Sequence, residues 1–131
     1  MRVAACARDQ FTGGDFLICA RTDAVSVEGL SSAIGRAKAY VSAGADMTFP
    51  DGLSSEAEFA AFGEELRGKT MLLANMTEFG RTPMIPVGRF QELGYQLVMF
   101  PVSTLRVAMK AVTEFLGELR ESGTQGGALH K

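Results

Sequence analysis

Arg21, Asp51, Asn75 and Ser103 stand at or just past the ends of four short strand-like segments, residues 16–20, 45–50, 70–74 and 97–101. A short apolar run closed by a turn reads as a buried strand. A charge at the end of such a strand is costly unless something pairs with it. Arg21 is therefore the first candidate for chemistry. Its planar guanidinium can grip a carboxylate through two parallel hydrogen bonds. Arg21 also reads as a structural ion-pair partner of Asp23. Asp51, followed by Gly52-Leu53-Ser54, reads equally as a turn cap. Asn75 can contact a ligand or satisfy loop backbone. Arg106 falls in the first turn of a helix, where the dipole disfavours a cation, and that misplacement favours a ligand.

The elements that must position these residues follow from patterning. Residues 2–9 look like the last turns of a helix, and Met1 falls inside that pattern, which implies an internal start or an incomplete gene model. Leu30, Ile34, Ala37 and Val41 form one helical stripe, closed by Gly44. Ser55 and Glu58 form a capping box before Phe59, Phe62 and Leu66. A short helix over 86–93 should bury Val87, Phe90 and Leu93. Leu105, Met109, Val112, Leu116 and Leu119 stripe a longer one, which Gly123 ends. Residues 124–131 read as a frayed tail. Strand starts recur about every 24 to 30 residues, the spacing that parallel βαβ units need. Strand ends form the active-site rim in such folds. The expected fold is α/β, four βα units in a parallel half-barrel. A complete (β/α)₈ barrel needs roughly 250 residues, so the 131 residues here read as a single partial domain.

Composition narrows the function classes. A net charge of −2 leaves no basic footprint for nucleic acid. No apolar run approaches the ~18 residues that span a membrane. Cys6 and Cys19 make neither a disulfide framework nor a metal spacing, and Cys19 reads as a small core residue. The expectation is a reduced, cytoplasmic chain. His130 has no assigned role, and no glycine-rich nucleotide motif follows a strand.

Four motifs in order carry a resemblance: Arg21-Thr22-Asp23-Ala24, Phe49-Pro50-Asp51, residues 73–80 (LANMTEFG) and residues 100–106 (FPVSTLR). With them the chain resembles the isocitrate lyase / phosphoenolpyruvate mutase superfamily, and within it the branch that cleaves 2-methylisocitrate. The likeness runs from about Asp15 to Gln125. It implies a Mg²⁺-dependent carbon–carbon lyase of propionate catabolism that yields pyruvate and succinate. It also implies strands five to eight of a TIM-type barrel. Carried over residue by residue, Arg21 and Arg106 match substrate-carboxylate arginines, and Asn75, Met76 and Thr77 match a segment lining the pocket. Asp51 stands where the branch has glutamate, one methylene longer. The family's metal-binding aspartates and its Lys-Lys-Cys-Gly-His loop have no counterpart here, so no catalytic residue and no metal ligand is assigned.

Three readings compete. The chain is a lyase piece, either a truncated gene product or one half of a split enzyme that needs an N-terminal half-barrel; a non-catalytic assembly module that docks with itself or with a full-length relative; or a small doubly wound α/β binding domain. The first two imply a homo-oligomer or a partner half. A small carboxylate is the expected ligand.

Overall fold

The computed structural model describes residues 1–128. His130 lies outside them. The chain divides into two compact units, one of Met1–Met99 and one from Phe100 onward. The first holds α1 (Arg2–Thr12), β1 (Cys19–Thr22), a single turn α2 (Val25–Glu28), α3 (Leu30–Ser42), β2 (Met47–Pro50), α4 (Glu56–Leu66), β3 (Met71–Asn75), α5 (Val87–Leu93) and β4 (Leu97–Met99). The second is built on α6 (Ser103–Ser122).

The four strands form one parallel sheet in the order β1-β2-β3-β4, so sequential strands are neighbours and β1 and β4 are its edges. Cys19 and Arg21 sit opposite Met47 and Phe49, and Leu73 and Asn75 opposite Leu97 and Met99. Side chains alternate between faces along a strand. Ala20, Thr22, Thr48, Leu72 and Ala74 thus lie on one face, buried under the helices. The other face carries Cys19, Arg21, Leu73 and Leu97, half-buried or exposed, and on the inner strand β2 Met47 and Phe49, both buried. Cys19 is therefore not the core residue expected from its run. It sits on an edge strand, on the face opposite α3, α4 and α5, and partial burial still raises its thiol pKa.

Strand β1 begins three residues later than the apolar run predicts. Phe16 and Leu17 are exposed. The Ile18 N–H donates to the Asp46 carboxylate at 2.8 Å, and its carbonyl accepts from the Asp46 and Met47 amides. These bonds fix the entry to the strand, and Arg21 falls inside it. Strand β4 is shorter than expected, ending at Met99, whose carbonyl accepts from the Met76 N–H at 2.8 Å.

Three helices cover the buried face. Helix α3 packs through Ala33 and Ala37, both fully buried, with Leu30, Ile34 and Val41 flanking. Small residues at the centre let the helix approach the strands closely. Helix α4 begins at the expected box: the Ser55 hydroxyl accepts from the Glu58 N–H, and the Glu58 carboxylate returns a bond to Ser54 rather than to Ser55. Phe59, Phe62 and Leu66 are buried as predicted, and so are Phe90 and Leu93 of α5. Val87 is not, because it stands at the exposed start of α5. Phe59, Phe90 and Tyr95 meet edge-on with centroids 5.1 to 5.6 Å apart. The Tyr95 hydroxyl reaches the Phe59 carbonyl at 3.2 Å. Gly94 ends α5 at φ 91°, a left-handed position that favours glycine.

Helix α6, taken by itself, carries its apolar stripe of Leu105, Met109, Val112 and Leu116 with no buried residue, and Gly123 caps it in the left-handed conformation.

Candidate functional site

Three successive strand ends meet around one guanidinium. Arg21 and Asp23 are two apart in extended chain, which puts both side chains on one face. The Asp23 carboxylate accepts from Arg21 Nε at 3.0 and 3.3 Å and from Nη2 at 2.8 Å. Asp51 follows β2, and its N–H donates to the Thr22 carbonyl at 3.0 Å, carrying the β1–β2 pairing one residue further. That extension sets Asp51 beside Arg21, whose Nη2 donates to Oδ2 at 2.6 Å. Asn75 closes β3, and its Nδ2 donates to the other Asp51 oxygen at 3.2 Å. Beneath the guanidinium lies the Phe49 ring, its centroid 5.1 Å from Cζ. That distance is within the range of cation–π attraction.

The electrostatics follow from one cation between two carboxylates. The Asp23 hydrogen bond is the main cause that raises the Arg21 pKa, with partial burial opposing it. The same bond holds the Asp23 carboxyl below its ordinary value. Asn75 Oδ1 is shielded from solvent and has no hydrogen-bond partner among the described residues. It is an acceptor at the strand ends that a hydroxyl or ammonium donor could satisfy.

The structure brings together Arg21, Asp51 and Asn75 from the residues expected at the site. Met76 turns the other way. Its side chain belongs to the core under the helices, and its N–H is taken by Met99, so it supports the rim from below. Thr77 lies in the loop after β3, partly exposed, with Gly80 folded against it: a Cβ on Gly80 would stand 3.2 Å from the Thr77 hydroxyl. Arg106 occupies the first turn of α6 in the second unit, and its N–H donates to the Val102 carbonyl. Phe49 was not expected at the site. Its place opposite Arg21 in the register is the signal that would have found it. Asp23, expected as a structural partner, accepts from both Nε and Nη2 of Arg21. Among the described residues no three His, Cys, Asp or Glu side chains gather where a metal ion could be held.

Residues 1–120 match the phosphoenolpyruvate phosphomutase family. The chain belongs to that family. It is 51% identical over 117 residues to a probable 2-methylisocitrate lyase of Corynebacterium glutamicum, covering 89% of this chain and 38% of the relative. It is 53% identical over 117 residues to a 2-methylisocitrate lyase of Aeropyrum pernix, covering 89% of this chain and 37% of the relative. The crystal structure of oxaloacetate acetylhydrolase superposes with a TM-score of 0.88 at 33% identity, covering 95% of this chain and 43% of that one. The chain thus spans about two fifths of the length of the phosphomutase-family relatives it matches. Its four parallel strands and their helices are one part of a TIM-type fold, as the strand spacing predicted.

Proposed function

We propose that this chain supplies the substrate-carboxylate rim of a carbon–carbon lyase acting on 2-methylisocitrate, working with a further half-barrel. The observation that carries this is the Arg21 guanidinium, set over Phe49 and bracketed by the ends of β1, β2 and β3. The names of the C. glutamicum and A. pernix relatives support the substrate class. In this reading Arg21 grips a carboxylate, Asp51, Asn75 and Thr77 line the same pocket, and Arg106, on α6 of the second unit, is a substrate arginine by the family resemblance alone. In the complete enzyme a bound Mg²⁺ would supply Lewis-acid chemistry. Asp23 and Asp51 are both committed to Arg21, so among the described residues they do not make a magnesium site, and no step through the metal is assigned to them.

The test is complementation. The 131-residue chain is mixed with the part of the C. glutamicum relative that it does not match. Pyruvate release from 2-methylisocitrate is then followed with and without Mg²⁺. The chain alone should release none, and the pair should release pyruvate only with the metal. Robust release by the chain alone overturns the proposal. A stable complex that releases no pyruvate favours a non-catalytic assembly module instead.

A further inference from the structure

Asp23 stands one residue before the N-cap of α2, where an aspartate ordinarily serves helix N–H groups. Here α2 has no side-chain cap, and the carboxylate is turned onto Arg21. The pair is more than half exposed, at 52% and 62% of the side chains. An exposed ion pair of this kind adds little to folding, so stability alone does not account for an arginine held from three directions. Asp23 takes the Nε–Nη2 edge, Asp51 takes the remaining Nη2 hydrogen and Phe49 supports the face. Among the described residues only Nη1 is left without a partner.

We propose that Asp23 is a positioning residue: it holds the Arg21 guanidinium in one orientation, with Nη1 directed outward to meet a ligand carboxylate end-on. This rests on the carboxylate-binding reading above and adds how the fork is presented. A carboxylate that binds bidentately across Nη1 and Nη2 must displace Asp51. One that binds at Nη1 need not.

The experiment is arginine modification by phenylglyoxal on the 131-residue chain, with rates read peptide by peptide by mass spectrometry. Arg89, paired with Glu56 and Glu92, is the internal reference. In Asp23→Asn, Arg21 should react about fivefold faster, the upper range for losing an exposed pair, while Arg89 keeps its rate. Asp23→Glu retains the carboxylate and should restore slow reaction. Unchanged Arg21 rates in Asp23→Asn overturn the proposal. So does a parallel rise at Arg89, which marks general loosening, or a failure of Asp23→Glu to rescue. Protection of Arg21 by millimolar pyruvate reads the carboxylate site separately. Slow, Asp23-dependent modification with no protection by pyruvate removes carboxylate binding and leaves Asp23 holding the guanidinium.

Discussion

At the scale of single residues, the geometry of Arg21 sets one expectation for the complemented enzyme. Lysine keeps the charge but has no fork, so it cannot answer Asp23 through two nitrogens and Asp51 through a third hydrogen. Arg21→Lys should cost at least ~2 kcal/mol of transition-state binding, by analogy with truncated charge pairs. A variant with near-normal kcat/KM would remove Arg21 from the site. Tyr95 gives a second expectation. Its phenol is buried among Phe59 and Phe90, and burial pushes its pKa far above the ordinary value. The neutral form is the one the fold holds. Its stabilisation is therefore complete below the unfolded tyrosine pKa of about 10 and is lost as pH rises above it. Unfolding followed against pH should show stability falling above that value, and Tyr95→Phe should flatten the fall. Tyr95→Phe should also cost about 1 kcal/mol at neutral pH, for the lost bond to the Phe59 carbonyl. An unchanged alkaline slope in Tyr95→Phe would exclude this residue as its source.

Among the elements, the contact of α4 with α5 is the least forgiving. A Cβ on Gly63 would lie 2.0 Å from the Leu93 carbonyl oxygen, and that neighbour is backbone that cannot swing away. Helix propensity alone favours alanine over glycine by about 1 kcal/mol. Overpacking costs typically 1–3 kcal/mol, so Gly63→Ala should lower the urea midpoint despite the better helix former. A raised midpoint would mean the two helices have room to part. The helices show how far periodicity reads packing. The stripe of α4 was legible because Phe59, Phe62 and Leu66 are large and helically spaced. That of α3 was legible only in part, because its centre is Ala33 and Ala37, and alanine is weakly informative about which face is buried. The start of β1 was misplaced because the decisive contact, Asp46 to the Ile18 N–H, joins residues far apart in sequence.

For the molecule as a whole, the face of the Met1–Met99 sheet opposite α3, α4 and α5 decides behaviour in solution. Leu97 is exposed on that side, with Leu73 and Met99 half-buried between strands whose edges are β1 and β4. Parallel sheets are normally covered on both faces. Contiguous apolar surface of this kind is uncommon on monomers, and unpaired strand edges invite association. The isolated chain should therefore not persist as a stable monomer at micromolar concentration. Sedimentation equilibrium checks this. A single species near 14.0 kDa that unfolds cooperatively would show that the face is tolerated uncovered.

What the sequence determined by itself was the order of elements, the parallel connection and the strand ends that bear polar residues. These depend on local periodicity, caps and spacing, which neighbours in the chain settle among themselves. It also placed Arg21, Asp51 and Asn75 as candidates, because each interrupts an apolar run. Only the tertiary structure decided that Asp23 and Asp51 share one guanidinium, that Phe49 lies beneath it and that Met76 turns into the core. Those facts rest on strand register, and one residue of register exchanges the two faces of a sheet. Register is set by pairing between segments roughly thirty residues apart, and no local pattern in either segment carries it.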